Sequence, residues 1–159
     1  MGFSLSYEKG SGVYVPIATG GDLFSESVGV SKKAALENLK KLFYEPKCLI
    51  VMHNAKFDLK VLDSQGFIQI SDWLGEDTNT ARIADTMIAA WLLEPDRSGK
   101  TAYALEYLSE THLHLKGTEY EEIVPKNGTF ADVPLESAAA YSSEDSDFTL
   151  QLWNVFEPK

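Results

Sequence analysis

The sequence has little cysteine, little histidine, little positive charge and no long apolar run. Its one cysteine, Cys48, cannot close an intramolecular disulfide or build a cysteine zinc site by itself, and it points to a reducing cytoplasm. Of the three histidines, His112 and His114 lie two apart in Thr-His-Leu-His-Leu and His53 stands elsewhere, so none has informative metal-ligand spacing. No apolar stretch reaches the ~18 residues of a membrane span. The start, Met1 to Ser6, has no basic region ahead of an apolar block and does not read as a secretory signal. Gly-rich phosphate loops, nucleophile elbows, internal repeats and low-complexity tracts are absent from the sequence as well.

Charge is unbalanced. Lys and Arg number 14 against 24 Asp and Glu, giving a net −10. Residues 1–60 carry eight lysines and six acids, a net of +2, and residues 61–159 carry six basic residues and eighteen acids, a net of −12. Non-specific nucleic-acid binding rests on Lys and Arg neutralising phosphates, so the composition argues against a protein that coats DNA. It leaves open a metal-dependent nuclease, whose site is built from carboxylates. What is present is a 44% hydrophobic, 24% charged chain of 159 residues. That is enough apolar material for a real core and enough length for one domain, residues 1–159.

The pattern begins with strands. Phe3, Leu5 and Tyr7 alternate with Ser4 and Ser6, a period of two. Glu8 to Gly12 is a hairpin turn and residues 13–17 a second strand, with Pro16 at an edge or end. Residues 18–30 read as a Gly- and Ser-rich loop. Ser31 caps a helix marked by Ala34/Ala35, Leu39 and Leu42/Phe43. Residues 47–52 form a short apolar run consistent with a strand covered on both faces. Asn54 can cap the helix that follows, which Gly66 ends. A polar loop at 71–80, a strand at 82–85 and a helix at 86–93 come next, then a loop at 95–101. Helical patterns at 102–111 and 117–123, an irregular stretch at 124–133 and a long helix from Leu135 to Phe156 complete the chain. Strands followed by strand–helix alternation predict an α/β domain with a mixed sheet.

Three acids stand out. Leu135, Ala138, Ser142, Asp145, Phe148/Thr149, Leu152 and Phe156 share one stripe of the last helix. Asp145 interrupts that stripe, one turn from Tyr141. A buried carboxylate needs a hydrogen-bond or cationic partner, a proton or a metal, and spacing alone leaves these alternatives open. Asp58 lies one turn into the helix that follows Asn54, just beyond the carboxyl end of a strand, where α/β sheets bind ligands. A stabilising interaction with the helix dipole is the competing account. Asp85 also ends a strand and reads as the cap of the helix starting at Thr86.

Together these segments resemble the 3′→5′ proofreading exonuclease domain of a bacterial DNA polymerase I, a family A polymerase. His53-Asn54-Ala55-Lys56-Phe57-Asp58-Leu59-Lys60-Val61-Leu62 is similar to the family's second motif, with its Asn-x-x-x-Asp core. Tyr141-Ser142-Ser143-Glu144-Asp145 is similar to the third, Tyr-x-x-x-Asp. A related group carries a histidine five residues before that acid. Here the position is Ala140, so the resemblance is to the tyrosine type. Asp85-Thr86-Met87 to Pro95 resembles the segment between these motifs, Tyr120 to Ile123 with Thr129-Phe130 the connector before the last helix, and Gly2 to Glu8 and Val13 to Pro16 the family's second and third strands.

The resemblance implies a ribonuclease H-like mixed sheet flanked by helices. It also implies four carboxylates holding two divalent metals, Mg²⁺ or Mn²⁺, that hydrolyse the 3′-terminal phosphodiester of single-stranded DNA. Asp145 would ligate the metal that carries the attacking hydroxide, and Tyr141 would orient the attacking water. Asp58 would serve the second metal through water, and Asn54 would position the motif or the terminal nucleotide. A polymerase domain of the same protein would follow Lys159. The family's first motif, Asp-x-Glu on the first and central strand, would precede Gly2, and the sequence given contains no counterpart. The expectation is therefore an N-terminally truncated domain. It would lack the strand between the 2–8 and 47–52 strands, fold poorly and show negligible hydrolysis alone. Two further readings accompany this one: a catalytically dead exonuclease-like scaffold that supports a polymerase or binds DNA, and a ribonuclease D-type exonuclease acting on RNA.

Overall fold

The computed structural model describes residues 2–18, 28–74, 79–99 and 101–159. Among them run β1 (Gly2–Leu5), β2 (Val13–Pro16), α1 (Lys32–Phe43), β3 (Leu49–Met52), α2 (Ala55–Ser64), β4 (Arg82–Asp85), α3 (Thr86–Leu93), α4 (Leu105–Leu113), α5 (Tyr120–Ile123) and α6 (Leu135–Phe156). Short 3₁₀ turns occupy Ile70–Trp73 and Phe130–Asp132. This is a mixed α/β chain. The strands form two ladders, β1–β2 antiparallel and β3–β4 parallel. Most of the loop expected at 18–30, and part of that at 71–80, lie outside the described residues. Contacts divide the chain into two units, Ile17–Asp85 and Met1–Pro16 with Thr86–Lys159.

In the Ile17–Asp85 unit, Ser31 caps α1 as its residue type predicts. Its Oγ accepts the Ala34 N–H at 3.2 Å, satisfying one of the helix's orphan donors. Ala35, Leu39 and Phe43 recur every four residues and are buried. Phe43 and Tyr44 pack against Trp73 at ring separations of 6.1 and 5.6 Å. The Tyr44 hydroxyl donates to Asp72 at 2.6 Å, and Trp73 Nε1 donates to the Ala81 carbonyl at 2.9 Å. These bonds give the Ile70–Trp73 turn its place. The β3–β4 register runs from Leu49↔Arg82 to Met52↔Asp85. Asp85 and the start of α2 therefore share the carboxyl end of the ladder. The expected strand at 47–52 is shorter than its apolar run, and β3 is half-buried rather than covered on both faces. Gly66, at φ +76°, closes α2 with its N–H on the Asp63 carbonyl at 2.9 Å.

In the other unit, α6 carries the packing. Ala90 of α3, Leu108 of α4, and Leu152 and Phe156 of α6 form a buried cluster, with Tyr103, Leu113 and Val155 around it. The long-helix boundaries match the pattern read from the sequence, and Ala138, Phe148, Thr149, Leu152 and Phe156 are buried on the expected stripe. Leu135 departs from it at 45% exposed, and Gln151 is buried instead. Gln151 Nε2 donates to Asp147 at 2.8 Å, so its burial leaves a satisfied amide. The β1–β2 turn sits against α6. Gly10 N–H donates to Asp147 Oδ1 at 2.7 Å. Gly12 lies so close that an added Cβ would stand 2.0 Å from the Ser143 carbonyl oxygen. Gly10, at φ +80°, is the glycine the turn itself needs, and Gly12 is needed by the helix the turn meets.

Gly12→Ala should lower stability by about 1–3 kcal/mol, because the new methyl group must displace the turn from α6. Urea denaturation checks this, and an unchanged midpoint would contradict the seating of the turn.

Candidate functional site

The resemblance's site residues fall in both units. In the Ile17–Asp85 unit, Asn54 connects β3 to α2 in the left-handed conformation, φ 62° and ψ 50°. Asparagine is among the few non-glycine residues that adopt it readily. The side-chain cap expected from Asn54 is not made. The Asn54 and Ala55 N–H groups instead donate to Asp85 Oδ1 and Oδ2, at 3.1 and 2.8 Å. Asp58 follows in the first turn of α2 and is half-buried. Burial pushes its carboxyl up to about 6, and the nearby Asp85 charge adds to the rise.

In the unit containing α6, Tyr141 and Asp145 lie one turn apart on the same side of the helix, close enough for each to shift the other's proton affinity. Burial holds the Asp145 carboxyl up at about 7, and Glu106 of α4 and Glu144 raise it further against the lowering effect of the neighbouring Tyr141 hydroxyl. Tyr141 is itself pushed well above the ordinary tyrosine range, first by burial and then by Asp145 and Glu106. Its hydroxyl therefore keeps its proton and serves as a donor. Glu144 is engaged elsewhere, its Oε1 accepting the Thr118 N–H at 2.6 Å. The Tyr141 ring is held by Tyr120 at 6.4 Å and Phe130 at 6.0 Å, and those two rings stack on each other at 6.2 Å. The connector between α4 and α6 thus buttresses the tyrosine.

Sequence reasoning did not find Glu106. It lies in the first turn of α4, where an acid looks like ordinary dipole compensation. Asp85 reads in the sequence as the cap of the helix beginning at Thr86, whereas its bonds to the start of α2 join residues 30 and 31 positions apart, a pairing that no local pattern encodes. His112 is held by packing and hydrogen bonding. Its ring meets Phe156 edge-on at 5.0 Å, and Arg97 Nη2 lies 3.1 Å from its Nε2.

In donor type, these carboxylates fit a hard divalent cation. Asp58 and Asp145 are oxygen donors whose environments favour neutralisation of their charge. In number they fall short: among the described residues, no group of three or more His, Cys, Asp and Glu could hold a metal ion.

A family model described as 3′-5′ exonuclease matches residues 3–159. The chain belongs to this 3′-5′ exonuclease family. The family is that of the exonuclease domain of DNA polymerase I, an enzyme. The DNA polymerase I of Borreliella burgdorferi is 35% identical over 159 residues, covering 100% of this chain and 15% of that protein. That of Treponema pallidum is 34% identical over 125 residues, 79% of this chain and 11% of its own length. That of Pseudomonas aeruginosa is 29% identical over 156 residues, 96% of this chain and 16% of its own. The chain thus spans about 15% of the length of the relative from Borreliella burgdorferi. Among the described residues, no helix is long and apolar enough to cross a membrane.

The raised carboxyl of Asp145 makes a signed prediction. An acid with a folded-state value near 7 binds its proton more tightly than in the unfolded chain, where the value is about 3.9. Its burial is therefore harmless below about pH 4 and increasingly destabilising as pH rises toward 7. Asp145→Asn should match the parent protein near pH 4 and exceed its stability near pH 8 by on the order of 2–4 kcal/mol. Denaturation of both proteins across that range checks this, and a pH-independent difference would contradict it.

Proposed function

We propose that this chain is the part of a DNA polymerase I proofreading exonuclease that carries its second and third motifs, and that it acts on single-stranded DNA 3′ ends. The main support is the family match over residues 3–159 together with the Tyr141–Asp145 pair on α6. In this reading residues 1–159 form one domain with a ribonuclease H-like sheet flanked by helices. The central strand and its Asp-x-Glu acids come from sequence preceding Gly2, and a polymerase domain of the same protein follows. The setting is the bacterial cytoplasm.

Asp145 and Asp58 are the residues that would hold Mg²⁺ or Mn²⁺, Asp58 through water. When bound, the metal pair supplies an activated water and neutralises charge at the scissile phosphate. The chain's own residues do the rest. Burial of Asp145 among Glu106 and Glu144 creates a strong local preference for positive charge. Tyr141, kept protonated by its surroundings and held by the Tyr120 and Phe130 rings, orients the attacking water through its hydroxyl rather than removing a proton from it. Asn54, exposed at the strand end, positions the second motif or the terminal nucleotide.

A second reading, a scaffold without its own catalysis, is favoured by one observation. Among the described residues no three-acid group is assembled. The isolated chain is accordingly expected to release negligible nucleotide.

A chimera separates the readings. This chain would replace its matched segment in the Borreliella DNA polymerase I, and Mg²⁺-dependent release of 3′ nucleotides from DNA and RNA would be measured side by side. The expected result is release from DNA that Asp145→Ala lowers by more than about a thousandfold, with DNA synthesis retained. Preference for RNA would favour the ribonuclease D-type reading. Synthesis without any release would favour the scaffold.

A further inference from the structure

We propose that Asp85 is a positioning residue, a clamp from the end of β4 that sets the geometry of Asn54 and Asp58. The inference rests on the assignment of those two residues above and concerns what holds them. Each Asp85 oxygen accepts a different N–H: Oδ1 takes Asn54 at 3.1 Å and Oδ2 takes Ala55 at 2.8 Å. The donors are consecutive amides at the start of a ten-residue helix that has no side-chain cap bond from Asn54. Such N–H groups lack intrahelical partners, and a carboxylate facing them gains charge-assisted bonds and a favourable dipole.

The clamp also accounts for the backbone at Asn54. Asparagine tolerates the left-handed region, and the bonds around it decide whether it stays there. Here the two amides flanking that turn are tied to a neighbouring strand, which is itself held to β3 by the Met52↔Asp85 register. The clamp therefore fixes where α2 leaves the ladder, and with it the side chain of Asp58 in the first turn. A direct role for Asp85 as another metal ligand fits less well, because both oxygens already face N–H donors that would compete with a cation.

The test uses the 159-residue chain carried in the Borreliella chimera and isotopically labelled in that segment alone, with amide hydrogen exchange and scalar couplings measured by NMR. Asp85→Asn keeps the shape but offers one acceptor oxygen, so it can satisfy one of the two amides. Asp85→Ala can satisfy neither. The expected result is exchange about tenfold faster or more at one of Asn54 and Ala55 in the asparagine variant, and at both in the alanine variant. The couplings of Asn54 should leave their left-handed values, and those of the Asp58 side chain should become rotamer-averaged. Protection of Ile50 and Ile83 in the β3–β4 ladder should be retained. Unchanged exchange at Asn54 and Ala55 would overturn the proposal. Loss of ladder protection to the same extent would overturn it too, since the acid would then be supporting the fold generally. An Asp58 side chain that stays fixed would reduce Asp85 to a helix cap. A chimera that releases no nucleotide would fail the proposed function without altering these amide signals.

Discussion

A carboxylate on the core-facing side of a helix is the constraint around which the α6 unit is organised. Asp145 takes the place of an apolar residue on a stripe that otherwise buries Ala138, Phe148, Thr149, Leu152 and Phe156. Its charge is opposed by burial and by Glu106 and Glu144, and favoured by the nearby Tyr141 hydroxyl. An arrangement selected for stability alone would place a cationic side chain or an apolar residue there. Retaining an acid under these conditions makes sense where positive charge arrives from outside the chain, as it does in metal-assisted phosphodiester hydrolysis.

The surrounding structure is arranged to hold that helix still. The β1–β2 turn is tied to α6 through Gly10 and Asp147 and seated by Gly12 against Ser143, on either side of Asp145 in sequence. Tyr120 and Phe130 brace the Tyr141 ring. The Leu108–Leu152–Phe156 cluster anchors the C-terminal half. The Ile17–Asp85 unit solves a similar problem by other means. It places an acid, Asp58, in the first turn of a helix whose start is held by Asp85 rather than by its own cap. In both units the helix that carries the carboxylate is thus held by bonds from a neighbouring element.

Much of this could be read from the sequence because it is encoded locally. Ser31 ahead of an apolar helical stripe, Gly66 after one, and the period of α6 from Leu135 to Phe156 each rest on neighbouring residues. The order of Asn54-x-x-x-Asp58 and Tyr141-x-x-x-Asp145 pointed to the family that the match over residues 3–159 establishes. What could not be read depends on residues brought together by folding. Glu106 looked like a surface acid until α4 placed it near Asp145. Asn54 looked like a side-chain cap, but its backbone turns left-handed and Asp85 takes over the capping. Burial of Gln151 reads as an error in the stripe until its bond to Asp147 is seen.

The most direct test of the account is the pH titration of the Asp145 carboxyl carbon in the Borreliella chimera, where sequence preceding the matched segment is present, followed by NMR with and without millimolar Mg²⁺. The account predicts a midpoint near 7 in metal-free buffer and a lower midpoint when Mg²⁺ is present, because a bound cation favours the ionised form. A midpoint in the ordinary carboxylate range without metal, or one that Mg²⁺ leaves in place, would contradict it.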